Sequence, residues 1–239
     1  MIFLDSSVPD FELLHESLTA DAAQNDRFEV IVLQSHLDGV DQISNVIANY
    51  DNISGIHIIS HGSDGSVQLG NTLLQTGSLS GYANQVAAWG DSLTLDADIL
   101  FYGCNLAEST EGEHFLESIA ELTGADVAGS DDLTGHADLG GDWDFEYIVG
   151  VVETDLAFSV DVQENWNGTL ESVTVTTLDD VVDRNATSVA DLINDPGADG
   201  VISLREAIIA SNANADADVI YLGAGVHTLS IDGGGCSWR

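Results

Sequence analysis

Two apolar runs in the sequence each end in a side chain that can do chemistry. Residues 55–62 read Gly-Ile-His-Ile-Ile-Ser-His-Gly and reach His61, and residues 98–105 read Asp-Ile-Leu-Phe-Tyr-Gly-Cys-Asn and reach Cys104. Such runs are typical of strands buried on both faces of a parallel sheet, where functional side chains collect at the carboxyl ends. A thiol beside an imidazole can act as nucleophile and base. The pattern therefore predicts a His61–Cys104 dyad at one edge of a sheet.

Strand and helix patterns alternate over the first two thirds of the chain. Besides the two runs above, strands are expected at residues 2–4, 28–33 and 127–128, and apolar residues at helical spacing separate them. This alternation predicts an α/β domain, a three-layer αβα sandwich with a mostly parallel sheet, over residues 1–167. From Gly140 the pattern changes to alternating β residues, which predicts an antiparallel ribbon closing the domain.

The charge of the chain excludes several classes of partner. Asp and Glu number 41 against 4 Lys and Arg, which gives a formal net charge of -37. Such a surface repels nucleic acids and anionic membranes. No apolar run reaches the roughly 18–20 residues that a membrane span needs. We therefore predict no nucleic-acid partner and no membrane insertion, and calcium is a candidate ligand.

The two motifs resemble those of a known group of enzymes. Ile-Ile-Ser-His-Gly, ending at Gly62, and Tyr-Gly-Cys, ending at Cys104, are similar to the His-Gly and Cys motifs of the caspase, gingipain and clostripain group of cysteine peptidases. The resemblance implies a caspase-like fold, with His61 as general base or acid and Cys104 as nucleophile. The backbone amides of Gly62 and Cys104 would form the oxyanion hole. No cofactor is required by this chemistry.

Longer stretches of the chain resemble parts of giant bacterial surface proteins. Residues 1–167 are similar to an uncharacterised domain near the front of large adhesins and repeat proteins. Residues 168–239, with Ser-Leu-Arg-Glu-Ala-Ile followed by Asp-Val-Ile-Tyr-Leu, resemble the first rungs of a right-handed parallel β-helix. These resemblances imply an extracellular or cell-surface location, reached through a signal that this sequence does not contain.

Two functions from different classes are consistent with these features. The paired strand-end placement of His61 and Cys104 favours a cysteine peptidase that cleaves a polypeptide substrate, its own chain included. The lack of an evident specificity pocket favours a catalytically inactive adhesion or anchoring module with the same fold. The sequence leaves both open.

Charge also limits the specificity of such a peptidase. A pocket for an acidic side chain needs basic residues, and Arg27 is the only Lys or Arg before Arg184. An acidic domain favours a substrate with a basic side chain, and Asp131 or Asp132 would then lie at the bottom of the specificity pocket. Cleavage after Arg184 would then separate the first domain from the rest of the chain.

The second region contains a calcium-loop pattern. Asp195, Asp199 and Glu206 occupy positions one, five and twelve of an EF-hand loop, while Gly197 replaces the expected acidic ligand at position three. The alternative interpretation is a turn rich in Asp and Gly.

Overall fold

The chain divides into two compact units, Met1–Glu171 and Ser172–Arg239. A computed structural model describes residues 1–25, 28–213, 219–223 and 225–230, so Arg27 and the last part of the predicted β-helix lie outside the described residues. Among the described residues, no helix is both long enough and apolar enough to cross a bilayer.

The first unit alternates strands and helices along most of its length. Its strands are β1 (Ile2–Asp5), β2 (Val30–Leu33), β3 (Ile53–Ile59), β4 (Gly62–Ser63), β5 (Ser66–Leu69), β6 (Thr72–Gln75), β7 (Leu93–Tyr102), β8 (Asp126–Gly129) and β9 (Tyr147–Val149). Its α-helices are α1 (Phe11–Asn25), α2 (Gly39–Ile47), α3 (Thr76–Trp89), α4 (Thr110–Thr123) and α5 (Val160–Asn165).

A six-stranded sheet forms the centre of this unit. Its strand order is β2-β1-β3-β7-β8-β9, and every neighbouring pair is parallel except the edge pair β8–β9. Strands β4, β5 and β6 form a separate antiparallel sheet that directly follows β3. The predicted α/β class and the mostly parallel sheet are confirmed.

Successive strand residues point into two different apolar clusters, so the sheet is covered on both faces. Phe3, Ile58 and Phe101 belong to one cluster, together with apolar residues of α2, α3 and α4. Ile59 and Tyr102 belong to the other cluster, together with apolar residues of α1 and of the chain from residue 143 to residue 170. Burial on both faces explains why β3 and β7 read as continuous apolar runs.

The predicted closing ribbon is much shorter in the structure. Only Tyr147–Val149 pairs with β8, and Gly150 then turns the chain with a φ of +92°. The Oδ2 atom of Asp98 next accepts hydrogen bonds from the amides of Glu153 (3.2 Å) and Thr154 (2.8 Å). Because a buried carboxylate captures these amides, they are not available to a β-ladder.

The second unit combines a small parallel sheet with helices. Its elements are β10 (Ser172–Val175), α6 (Val189–Asn194), α7 (Leu204–Ser211) and β11 (Val219–Leu222), and β10 pairs with β11. The resemblance to a β-helix predicts β structure for the segment that starts at Ser203, and this prediction is wrong. Ser203 and Glu206 form a reciprocal capping box that starts α7. The described residues of this unit do not show a β-helix.

Candidate functional site

The register of β3 against β7 brings the two sequence motifs to one edge of the sheet. Ile59 pairs with Tyr102, and the amide of Ser60 donates to the Tyr102 carbonyl at 3.0 Å. The next residues of the two strands reach His61 and Cys104. The backbones are so close that a Cβ at Gly62 would lie 2.8 Å from the Cys104 carbonyl oxygen and 3.1 Å from the Cys104 nitrogen.

This close approach gives Gly62 a testable role. We expect Gly62→Ala to lower the free energy of unfolding by about 1–3 kcal/mol, because the new methyl group meets backbone atoms that have no room to move. Urea unfolding followed by circular dichroism measures the change. The matched control is Gly81→Ala, since a Cβ at this exposed position in α3 has open space. The control should gain about 0.5–1 kcal/mol from helix propensity. Equal effects at both positions would contradict the close approach.

His61 is fully buried and has a defined tautomer. Its Nε2 atom lies 3.2 Å from the Ser7 carbonyl oxygen, and a carbonyl only accepts, so Nε2 carries the proton. The Nδ1 atom therefore has the lone pair, and it has no hydrogen-bond partner among the described residues. Burial lowers the pKa of His61, and the backbone of Ser7, Glu171 and Leu170 opposes that shift. The lowered pKa favours the neutral imidazole, whose lone pair is on Nδ1.

Asp5 holds the loop that orients His61. The Asp5 carboxylate is buried at the end of β1, and its Oδ1 accepts from the Ser7 amide (2.9 Å) and the Ser7 hydroxyl (2.7 Å). Its Oδ2 accepts from the Gly70 amide at 2.6 Å. Sequence reasoning missed this positioning residue, although an Asp directly after an apolar strand was a visible signal for the same sheet edge.

Cys104 is a buried, neutral thiol. Only 1% of the residue is exposed, and Sγ donates to the Thr134 carbonyl (3.5 Å) while it accepts from the Thr134 amide (3.3 Å). Burial raises the pKa of Cys104 well above its usual range, and the Glu171 carboxylate raises it further. The backbone of Thr134 and Leu170 lowers it in part. Cys104 is therefore not a thiolate in this conformation.

A short piece of the chain pairs with the loops next to His61 and Cys104. We name residues 168–171 the cover segment. The amide of Gly62 donates to the Leu170 carbonyl at 3.2 Å, and the amide of Leu170 donates to the Thr134 carbonyl at 3.0 Å. Isolated bridges pair Glu171 with Gly62 in parallel and Thr169 with Gly135 in antiparallel orientation. The cover segment thus runs between the loop after β3 and the loop after β8.

Sequence reasoning placed the end of the first domain at residue 167 and so separated the cover segment from the dyad. In the structure the first compact unit extends through Glu171. Local sequence offered no signal for these contacts, because each joins residues that are far apart in the chain.

Aromatic side chains anchor the cover segment. Leu170 is fully buried in the same apolar cluster as Cys104, Trp143 and Trp166. The Trp166 indole donates from Nε1 to the Pro9 carbonyl at 3.1 Å. A Cβ at Gly168 would lie 2.8 Å from the same indole, so this glycine packs flat against it.

Comparison with protein families identifies the first unit. The family model for DUF4347, a domain of unknown function, matches residues 1–170. The chain belongs to this family. The match ends at Leu170, whose carbonyl oxygen accepts from Gly62, so the DUF4347 domain includes most of the cover segment. No curated protein matches the chain.

The predicted specificity residues lie in the loop after β8 of the DUF4347 domain. Asp131 and Asp132 are exposed, and with Glu146 they form a group whose carboxylate oxygens lie within 4.8 Å of one another. Partial loss of hydration at its carboxyl raises the pKa of Asp132, and Asp142 and Glu146 add to the shift. The backbone of Asp132 contributes more directly to the site, since its carbonyl accepts from the amide of Asn105 at 2.6 Å.

The predicted calcium ligands follow the DUF4347 domain and have other partners. Asp195 pairs with Arg184, and Asp199 accepts from the Val201 amide at 3.1 Å. The Glu206 carboxylate is buried, where it accepts from the Asp183 amide (3.0 Å) and caps α7. The groups of close acidic side chains in the described part of the chain do not include this trio.

Proposed function

We propose that the DUF4347 domain of this chain is a cysteine peptidase held in a latent state, with Cys104 as nucleophile and His61 as base. One observation carries the proposal. The Gly62 amide, the predicted oxyanion donor, hydrogen-bonds a carbonyl of an extended peptide that lies beside both members of the dyad. A peptide substrate needs this arrangement, in which a preorganised donor meets the carbonyl that is attacked.

The remaining contacts fit peptide binding. The loop after β8 supplies the Thr134 carbonyl and, through Gly135, an antiparallel pairing to the extended peptide. Backbone pairing of this kind binds a peptide regardless of its side chains. The Nδ1 atom of His61 would take the thiol proton, and exposure of the site to water would lower the pKa of Cys104 by removing the effect of burial.

The setting of the enzyme is inferred from the sequence resemblances. We place the chain at the bacterial cell surface or outside the cell, as part of a large adhesin-like protein. The net charge of -37 supports a surrounding rich in salt or calcium. A polypeptide, the chain itself included, is the proposed substrate.

The second candidate is a catalytically inactive binding module. The burial of the dyad favours it, since His61 and Cys104 are 0% and 1% exposed. An apolar environment with a neutral thiol is also what an inherited, unused cysteine would have. Catalysis on any peptide other than the cover segment needs a conformation in which this segment leaves the site, whereas the binding module does not.

Peptide hydrolysis under mildly loosening conditions separates the two candidates. The full chain and its Cys104→Ala variant are incubated with a pool of fluorogenic peptides at urea concentrations below the unfolding transition. We expect the unmodified chain to hydrolyse the peptides, and we expect neither Cys104→Ala nor His61→Ala to do so. If neither peptide hydrolysis nor self-cleavage depends on Cys104, the binding module becomes the correct interpretation.

A further inference from the structure

We propose that the bond between Leu170 and Glu171 is the natural cleavage site of this peptidase, and that its substrates carry leucine or a similar aliphatic side chain before the cleaved bond. This inference rests on the proposed function and names its substrate. The cover segment is then the substrate itself, bound in place before the reaction.

The backbone of Leu170 has the contacts of a residue whose carbonyl is attacked. Its carbonyl oxygen accepts from the Gly62 amide at 3.2 Å, and its own amide donates to the Thr134 carbonyl at 3.0 Å. The Gly168 carbonyl accepts from the His136 amide at 2.9 Å. Backbone pairing therefore holds the residues before the bond, and the oxyanion donor contacts the carbonyl of the bond itself.

The backbone of this segment acts on both His61 and Cys104. The Leu170 backbone lies close enough to act on the charge of the Cys104 thiol and of the His61 imidazole. The Glu171 backbone raises the pKa of His61, as a carbonyl that accepts from the ring does, so this residue also lies against the imidazole. The oxyanion donor contacts the carbonyl of this bond, and the proposal assigns its attack to Cys104 and the protonation of its leaving amine to His61.

The side chain of Leu170 sets the specificity. It is 0% exposed and lies in an apolar cluster with Cys104, Trp143 and Trp166. An arginine or a lysine at this place would bury a charge among aromatic rings without a partner, which is unfavourable. The acidic group of Asp131, Asp132 and Glu146 is exposed and stands outside this cluster. An aliphatic substrate therefore fits the site better than the basic one that the charge of the domain suggested.

The reaction balances without a cofactor. Cys104 gives its proton to Nδ1 of His61, and Sγ bonds to the Leu170 carbonyl carbon. The bond to the Glu171 nitrogen breaks as His61 returns the proton to that nitrogen, which becomes a free amine. Water then hydrolyses the thioester, so Leu170 gains a carboxylate and Cys104 regains its thiol.

The position of the bond agrees with the domain organisation. The family match ends at Leu170, and the first compact unit ends at Glu171. Cleavage between these residues would leave a nearly complete DUF4347 domain and release the rest of the chain with Glu171 at its new amino terminus.

Intact mass of the full chain tests the proposal. The unmodified chain, Cys104→Ala, Leu170→Met, Leu170→Arg and Arg184→Ala are incubated under reducing conditions, with and without calcium, below the urea transition. We expect fragments 1–170 and 171–239 from the unmodified chain, from Leu170→Met and from Arg184→Ala. Cys104→Ala should stay whole, and Leu170→Arg should be cut at least about tenfold more slowly.

A measurement in trans protects the test against a misfolded variant. Fluorogenic peptides that end in Gly-Thr-Leu and Gly-Thr-Arg are offered to the unmodified chain, and the leucyl peptide should have a kcat/KM about tenfold higher. Two outcomes would overturn this inference but support the proposed peptidase function. One is Cys104-dependent cleavage that prefers the arginyl peptide, and the other is cleavage after Arg184 but not after Leu170. If neither self-cleavage nor peptide cleavage depends on Cys104, both this inference and the proposed peptidase function are overturned.

Discussion

Replacing Leu170 by glutamate is expected to speed alkylation of Cys104 about 100-fold. The leucine side chain is fully buried beside the thiol, and a carboxylate there would lose its hydration. Burying such a group without a partner costs about 3 kcal/mol or more, and each 1.4 kcal/mol changes an equilibrium about tenfold. The cover segment should therefore open far more often, while the six-stranded sheet stays folded.

The measurement uses iodoacetamide and intact mass at a fixed pH. A Cys236→Ala background leaves Cys104 as the only thiol, because the chain has two cysteines. The matched control is Asn167→Glu, which adds the same charge at an exposed position three residues earlier in the chain. The control should react like the unmodified chain. If Leu170→Glu keeps its circular dichroism spectrum and reacts no faster than the control, the cover segment is not what protects the thiol.

The strand ends of the site could be predicted because burial leaves a direct trace in sequence. Parallel strands covered on both faces become continuous apolar runs, and the first polar residue marks the edge. This argument placed His61 and Cys104 at one edge, and the register of Ile59 with Tyr102 agrees with it. The predicted α/β class rested on the same physics.

The contacts that decide accessibility could not be predicted in this way. The hydrogen bond from Gly62 to Leu170 joins residues that are distant in sequence, and no local pattern encodes it. Residue 167 ends the predicted domain because the resemblance to a β-helix begins at residue 168. Only the folded chain shows that the next few residues return to the sheet edge.

A local signal was overlooked in the second unit. Ser203 and Glu206 have the spacing of a capping box, and the structure starts α7 there. The β-helix resemblance outweighed that signal. Secondary structure that depends on hydrogen bonds between residues within three positions can be predicted from sequence more reliably than contacts between residues that are distant in the chain.

The electrostatics of the site indicate what would hold the proposed peptidase latent. Both burial and the Glu171 carboxylate raise the pKa of Cys104, and burial lowers that of His61, so an ion pair is disfavoured while the cover segment is in place. The acidic composition of the chain acts in the same direction, because a thiolate adds another negative charge. Opening the site would remove the burial contribution first, and this is the larger one.

Trp166→Ala is expected to lower the free energy of unfolding by about 3–5 kcal/mol, the range for truncating a large buried aromatic side chain. Trp166 is fully buried, and its ring centroid lies 5.6 Å from that of Trp143. Its Nε1 donates to the Pro9 carbonyl. The variant leaves a cavity and an unpaired carbonyl. Urea unfolding followed by circular dichroism measures the loss, and Leu95→Ala, at a position that is 97% exposed, should change the stability by less than about 0.5 kcal/mol.

Alkylation of the same variant distinguishes an anchor of the cover segment from a general core residue. If Trp166 mainly holds residues 168–171 in place, Cys104 should react faster than global unfolding allows, at a rate that low urea hardly changes. A reaction rate that rises with urea in step with global unfolding would instead assign Trp166 to the core alone. The first result would mean that the cover segment opens as a local unit, as self-cleavage after Leu170 requires for water to reach the thioester.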